Sequence, residues 1–560
     1  MKRWVIANPE PALAETLAGQ LHLALPITQV LINRGYRTAE AASSYLNPQL
    51  RQLGDPFDLP DMAAAVDRIL AAITNEERIV IYGDYDVDGV TSSALLQRVV
   101  QAAGAMVANF LPQRAEEGYG LSADGIARCL KEHKPQLLIA VDCGTSSVRE
   151  IADLQKQGVD TIVLDHHEPP GELPKCIALV NPKRIAGSAL GVLASVGVSF
   201  KLAHALLKHD KRLAERIDLR DHLDLVAVGT VADIVPLTGE NRILVRAGLE
   251  RLPETQKIGL RALMEIADVP DKVSPYHIGF RMGPRLNASG RLADAMAALE
   301  LLLTSDAARA AELAKLLNEQ NAKRQGIEAQ ITEEAIAMAR VHSGDRVLVL
   351  AREGWHVGVI GIVASRVMQA FHRPTVVIGI EDGMGKGSCR SVSGFSIVGA
   401  LQHCAPLLEK FGGHEMAAGL SVKAGKVDEL RETLNEFAGR MLKDEDLLPQ
   451  VQIDAQLKLD DLDADFFEQL ERLEPCGTEN PTPLFAVEGV HLRGKPRIVG
   501  KNHLRFSVTD GDTTAQAIWW GRGDFEFPEG AFDVAFTPEL NEYGGRESVQ
   551  LKVRDIRGAV

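Results

Sequence analysis

Arg78-Ile79-Val80-Ile81-Tyr82-Gly83-Asp84-Tyr85-Asp86-Val87-Asp88-Gly89 decides how the chain is read. A β-branched, apolar run stops at a glycine, an acid-rich turn follows, and Val90 to Ala103 then carries helical spacing up to Gly104. The alternation recurs downstream. Met106 to Leu111 is strand-like, a helical stretch ends near His133, and Gln136 to Val141 is strand-like again. Another helical stretch reaches Gly158 before Thr161 to Leu164. Strands alternating with helices of ten to fifteen residues predict a parallel sheet covered on both faces.

Working outward, residues 1–60 are rich in Pro, Ala and Leu and read as an N-terminal cap; the α/β domain is expected over 61–300. No proline falls between Arg285 and Arg373, and Ala307 to Arg340 is packed with Ala, Glu, Leu, Lys and Gln. That composition predicts one long helix or two abutting ones, making 301–345 a connector. Residues 346–445 read as a smaller α/β domain, and 446–560 as short alternating strands of a small β-barrel.

The whole is 560 residues, 46% hydrophobic and 24% charged. At about 150 residues per domain that length suits three or four domains. The composition excludes collagen, a disordered tail protein and a disulfide-stapled scaffold. The six cysteines are scattered and form no C-x-x-C pair, so a structural zinc site is not expected and a reducing cytoplasm is. Asn8-Pro9-Glu10-Pro11 interrupts the only apolar run near Met1, and no stretch reaches the roughly 20 apolar residues of a membrane span. A formal net charge of −15 argues mildly against a phosphate-rich partner, unless acids gathered for metal coexist with local basic patches.

The acids are indeed gathered. The first strand ends in Asp84-Tyr85-Asp86-Val87-Asp88, a later one in Asp142-Cys143-Gly144, and the next in Asp165-His166-His167; Asp233 follows an apolar helical run. Ligands of an open parallel sheet bind outside the carboxyl ends of its strands, so these groups converge on one crevice. Carboxylates that close repel unless cations sit between them. Carboxylate with a little imidazole suits Mg²⁺ or Mn²⁺ better than zinc. An EF-hand loop is excluded, because its twelfth position would be Leu95. Any one of these aspartates alone would more often be a turn former or helix cap.

Basic groups gather elsewhere. Gly283-Pro284-Arg285-Leu286-Asn287-Ala288-Ser289-Gly290-Arg291 reads as a Gly-bounded loop before a helix, with Arg285, Asn287 and Arg291 as a phosphate clamp; a loop salt bridge is the plain alternative. Gly387-Ser388-Cys389-Arg390-Ser391-Val392-Ser393-Gly394 offers hydroxyls, an arginine and small residues to an anion. Between His491 and Arg505 lie Arg493, Lys495, Arg497, Lys501 and Arg505 with no acid, and Phe506, Trp519 and Trp520 follow. Basic grooves beside aromatic platforms are how OB-fold modules hold single strands. One of the two tryptophans must be core, since strand neighbours face opposite sides; Trp519 is taken as the DNA-facing one.

The four acidic motifs resemble those of the DHH phosphoesterase superfamily, and from about residue 70 onward the chain is similar to its RecJ family of single-stranded-DNA-specific 5′→3′ exonucleases. The resemblance implies a parallel-sheet DHH domain, a long connecting helix, a DHH-associated domain and an OB-like domain. It implies that Asp86, Asp88, Asp142, His166 and Asp233 ligate one or two Mn²⁺ or Mg²⁺ ions, with Asp142 bridging. His167 would face the scissile phosphate and Asp165 would support the histidines; Asp84 is either a ligand or a supporting residue. Ser388, Arg390, Ser391, Gly394 and His414 would meet the DNA backbone, and Arg114 the terminal phosphate. The implied activity is hydrolysis of single-stranded DNA from its 5′ end to mononucleotides, in repair and recombination. Single-stranded-DNA-binding protein and a helicase are the implied partners of a monomer. The rivals are a phosphodiesterase of the same superfamily acting on short oligonucleotides or cyclic dinucleotides, and a non-catalytic DNA-binding scaffold.

Overall fold

The computed structural model describes residues 2–112, 120–292, 295–543 and 546–559, and the backbone alone at 291–292, 542–543 and 546–547. Two units emerge: residues 9–321 with 460–483, and residues 1–8 with 322–459 and 484–560.

The described residues of the N-terminal unit hold a five-stranded sheet of β1 (Arg78–Gly83), β2 (Met106–Phe110), β3 (Leu137–Val141), β4 (Asp160–Leu164) and β5 (Ala178–Val180). Its order is β2-β1-β3-β4-β5 and every pairing is parallel. Leu137-Leu138-Ile139-Ala140-Val141 is buried along its whole length, as a strand covered on both faces must be. Alternate residues serve different cores. Ile79, Ile81, Ile139 and Ile162 pack towards α1 (Met62–Thr74), α2 (Val87–Ala102), α5 (Ser195–His209) and α6 (Leu223–Ala232). Val80, Tyr82, Leu138, Ala140 and Val163 pack towards α3 (Ala123–His133) and α4 (Val148–Lys156). Helix α6 is apolar all round, and residues 223–230 are buried throughout, as expected of a core helix.

Residues 283–292, expected as a loop, are helix α7 (Gly283–Leu292). Pro284, which has no N–H to donate, directly follows the π-helical segment Ile278–Met282 in a helical run that begins at Pro275. The glycines serve close packing instead: a Cβ at Gly290 would lie 2.7 Å from the Tyr85 carbonyl oxygen. The long connector is a single 35-residue helix, α8 (Ala307–Val341).

The C-terminal unit begins with a mixed sheet of β6 (Leu348–Glu353), β7 (Thr375–Glu381), β8 (Met384–Arg390), β9 (Leu408–Gly413) and β10 (Ala417–Lys423). Its order is β9-β10-β8-β7-β6, with only β6 and β7 parallel, and α9 (Ile360–Phe371) packs on it. A barrel follows from β11 (Phe485–Leu492), β12 (Arg497–Val499), β13 (His503–Thr509), β14 (Thr514–Trp519), β15 (Phe532–Tyr543) and β16 (Arg546–Gly558). Pairing runs β11-β15-β16-β14-β13, and a further β11–β13 pairing closes the ring.

Both ends of the expected domain series are spliced between units. Residues Arg3–Ile6 pair with Gln450–Ile453 of the C-terminal unit, where the Trp4 indole N–H donates to Asp555 at 2.8 Å. Residues 460–483 belong to the N-terminal unit, where Arg242 donates to the carbonyls of Tyr45, Arg472, Leu473, Glu474 and Pro475. All six cysteines are free thiols. Among the described residues, no helix is long and apolar enough to cross a membrane.

Candidate metal centre

Strands β1, β3 and β4 are neighbours, so their carboxyl ends place Asp84, Asp142 and Asp165-His166-His167 side by side. Asp86 caps α2, its Oδ1 accepting from the N–H groups of Asp88 (2.9 Å) and Gly89 (3.1 Å). Gly89 is obligatory there: a Cβ would come 2.5 Å from the Asp84 carbonyl oxygen. Asp142 sits at φ 62°, a left-handed conformation that costs an aspartate less than most residues and that concentrates at functional sites. Asp233 follows the last turn of the buried helix α6.

Ligand atoms fall into three groups, each with its members within 4.8 Å of one another: Asp84, Asp86 and Asp142; Asp88, His166 and Asp233; Asp142, His166 and His167. His166 Nε2 stands 3.4 Å from Asp142 Oδ1 and 3.4 Å from Asp233 Oδ2. Asp84, Asp88, Asp142, Asp165 and His166 are buried. The start of α5 braces this cluster. The N–H groups of Ser195 (2.7 Å) and Val196 (2.8 Å) donate to the two oxygens of Asp88, and the Ser195 hydroxyl donates to Asp142 Oδ1 at 2.9 Å.

Burial and the neighbouring Asp86 push the Asp88 carboxyl up to about 7. Burial, with Asp88 and Asp86, pushes Asp233 up to about 9. Asp142 rises well above the carboxylate range through burial and the charges of Asp86, Asp88, Asp84 and Asp233. His166 cannot neutralise them, because burial and the adjacent His167 push it down to about 4. The buried Asp233 Oδ2 has no hydrogen-bond donor. This donor set, carboxylate-rich with neutral imidazole and short of positive charge, fits a hard divalent cation.

Asp165 is a different kind of acid. Burial opposes its ionisation, but the His167 hydrogen bond and charge and the Thr145 hydrogen bonds outweigh it and hold the carboxyl well below its usual range. Its Oδ1 meets His167 Nδ1 at 2.7 Å and accepts from the His166 N–H at 2.8 Å. Burial opposes the charge on His167, yet Asp165 holds its pKa above the usual histidine value. Asn181, at the end of β5, donates to the His167 carbonyl at 2.9 Å and to Thr145 Oγ1 at 3.0 Å. Asn181 could have been found by extending the strand-end reading to the fifth strand; Ser195 had no such signal.

Other expected contacts are redistributed. Asn287 Oδ1 accepts from the Val87 N–H at 3.2 Å, so this side chain braces the metal loop. Arg285 donates to Asn318 Oδ1 (3.0 Å) and to the Arg281 carbonyl (2.6 Å). Arg114 and the Arg291 side chain lie outside the described residues. In the C-terminal unit Arg390 donates to Ser365 Oγ at 3.1 Å and Ser388 Oγ at 3.2 Å, with no acidic partner among the described residues. A Cβ at Gly361, in the first turn of α9, would lie 3.2 Å from the Arg390 guanidinium. Ser391 is withdrawn from any surface role: it is buried and its hydroxyl donates to the Phe395 carbonyl at 2.6 Å. Gly394 occupies a turn at φ 85°, and His414 is exposed.

On the barrel Arg497, Lys501 and Arg505 are exposed. Trp519 is not a stacking surface: only 6% exposed, it is in register with Leu504 and packs on Phe525. Trp520, the next residue, is 53% exposed and lies against His503 with ring centroids 4.5 Å apart.

Comparison with known proteins matches residues 78–230 to the DHH family, N-terminal domain, 344–440 to the DHHA1 domain, and 453–555 to the RecJ OB domain. The chain is 37% identical over 564 residues to the single-stranded-DNA-specific exonuclease RecJ of Bacillus subtilis (strain 168), covering 99% of this chain and 70% of that one. The crystal structure of RecJ in complex with Mn²⁺ from Thermus thermophilus superposes with TM-score 0.87 at 31% identity, over 99% of this chain and 79% of that one. The same protein in complex with Mg²⁺ superposes with TM-score 0.80 at 30% identity, over 99% and 78%. With three domain families in that order and a relative 37% identical over 99% of this chain, the chain belongs to the RecJ family.

Proposed function

We propose that the chain is a metal-dependent exonuclease that hydrolyses single-stranded DNA from its 5′ end to mononucleotides, serving DNA repair and recombination. The observation that carries the reading is the convergence of Asp84, Asp86, Asp88, Asp142 and Asp233 with His166 in one largely buried cluster. Asp86, Asp88, Asp142, His166 and Asp233 would hold one or two Mn²⁺ or Mg²⁺ ions, and Asp84 groups with Asp86 and Asp142. When bound, such ions lower the pKa of a coordinated water and neutralise charge building on the phosphate oxygens.

The chain's own residues do the rest. Ser195 and the first amides of α5 fix the carboxylates of Asp142 and Asp88 before substrate arrives. Asp165 keeps His167 oriented and favours its protonated form, so that the half-exposed ring can donate a hydrogen bond to a non-bridging phosphate oxygen. Ser388 and Arg390 hold a backbone phosphate, a reading supported by a guanidinium with hydroxyl and carbonyl partners but no acidic one among the described residues, beside the first turn of α9.

The barrel retains the strand. Arg497 and Arg505 stand directly opposite each other across β12 and β13, an arrangement that repels unless an anion lies between them. Lys501 adds charge, and Trp520 with His503 supplies a stacking surface. The free thiols accord with a cytoplasmic setting, where a helicase and single-stranded-DNA-binding protein would present the strand to a monomer.

The test is a long single strand labelled separately at each end, incubated with Mn²⁺ or Mg²⁺. Mononucleotide released first from the 5′ label, and abolished by EDTA and by Asp142→Ala, is the expected result. A strand bound but left intact by the wild type overturns the reading.

A further inference from the structure

Helix α7 presses on the metal loop at several points. A Cβ at Gly283 would lie 3.5 Å from Ala232 Cβ, the residue before Asp233. Asn287 Oδ1 holds the Val87 N–H, and Gly290 abuts Tyr85. Immediately before α7 the chain makes a short turn, Pro275–His277, and a π-helical segment, Ile278–Met282, a wide helical turn that recurs at functional sites. Ile278 and Met282 point into the core and are fully buried. Tyr276 and Phe280 point the other way, 57% and 70% exposed. Their rings lie parallel against each other, centroids 5.0 Å apart and planes 25° apart. Two large aromatic rings stacked together in water bury little, and a polar pair would serve the fold as well.

A second mark stands at the same helix end. Ile234 directly follows Asp233, is 72% exposed and has φ 62°, a backbone conformation that a β-branched side chain adopts only under strain. The fold therefore exposes Ile234 next to Asp233, and Tyr276 and Phe280 on the helical run that leads into α7.

We infer that Tyr276 and Phe280 form a stacking platform for an unpaired nucleobase of the strand being cut. The inference rests on the substrate proposed above and adds the place where a base is held. Aromatic faces accept any base, so the platform gives affinity without sequence preference. Arg281, one residue beyond Phe280, keeps a cation beside the platform; its partner Asp268 is a fully exposed carboxylate 3.5 Å away. From Phe280 to Asn287, which touches the metal loop, the helix advances roughly 10 Å.

The test measures binding apart from hydrolysis. Anisotropy of a fluorescein-labelled oligothymidylate, read without divalent metal on the full-length protein, gives Kd for wild type, Phe280→Ala, Tyr276→Ser and Phe280→Trp. The Ala and Ser variants are expected to raise Kd roughly five- to a hundredfold, and the Trp variant to stay within about twofold of wild type. The slope of log Kd against log salt should not change, because no phosphate contact is removed. In Mn²⁺, an abasic nucleotide scanned along the strand should raise KM for wild type at one position, and Phe280→Ala should add nothing further on that strand. Wild-type binding by Phe280→Ala, a reduced salt slope, or additive abasic and Phe280→Ala losses at every position would each overturn the platform. A wild type that leaves the strand uncut while Phe280→Ala still weakens binding would overturn the exonuclease reading and leave the platform standing.

Discussion

Ser195→Ala removes one oxygen atom and should be felt at the metal. The hydroxyl donates to Asp142 Oδ1 at 2.9 Å inside a site where Ser195 is fully buried, while the backbone amides that hold Asp88 remain. Asp142 is already pushed well above the carboxylate range by burial and by four neighbouring aspartates, so its ionised form depends on every donor it keeps. A hydrogen bond to a charged group contributes about 1.5–3 kcal/mol, and partners of metal ligands typically control affinity by about 10–100-fold. Isothermal calorimetry with Mn²⁺ should therefore show Kd raised about tenfold or more, with hydrolysis recovering at high Mn²⁺. Ser195→Thr, which keeps the hydroxyl, should bind nearly as wild type. A folded Ser195→Ala protein whose Mn²⁺ affinity stays within about twofold of wild type would refute the bracing role.

Four further outcomes follow from the same geometry. Gly89→Ala should lower the exonuclease rate on the order of a hundredfold with unchanged circular dichroism, because the new Cβ displaces the Asp84 backbone by about an ångström; a wild-type rate would contradict this. Arg242→Met strands five carbonyls and should cost about 3–5 kcal/mol, seen as a lower urea midpoint and faster proteolysis within residues 460–483. In metal-free protein the raised carboxyls of Asp88 (about 7) and Asp233 (about 9) bind protons more tightly folded than unfolded. Stability should then fall as pH rises through that window, and Mn²⁺ should flatten the dependence of Tm. Burial pushes Cys129 and Cys389 up to about 12 and Cys404 up to about 11, so Ellman's reagent at pH 8 should label these thiols only after denaturation.

Most of the frame was legible along the chain, because local periodicity reports it. The β-branched runs, the acids where they stop, and the uninterrupted stretch that became α8 each depend on neighbours a few residues apart. Parallel pairing then follows from the helices between the strands, and convergence of the acids follows from parallel pairing. The aspartates and histidines that meet at these strand ends could thus be named without coordinates.

What the sequence left open are facts about faces and distant partners. Gly283 to Leu292 carries two glycines and a proline, a loop composition; it is helical nonetheless, and Gly290 lets α7 approach the Tyr85 backbone closely. Trp519 and Trp520 are alike in composition and adjacent in sequence, and only barrel closure buries one and exposes the other. Ser195 lies 53 residues from Asp142, and Asn287 200 residues from Val87, so no local pattern announces either brace. Residue types and spacing determined which groups can hold a cation. Long-range packing decided which groups hold those groups still, because a hydrogen bond is set by position in space and not by separation along the chain.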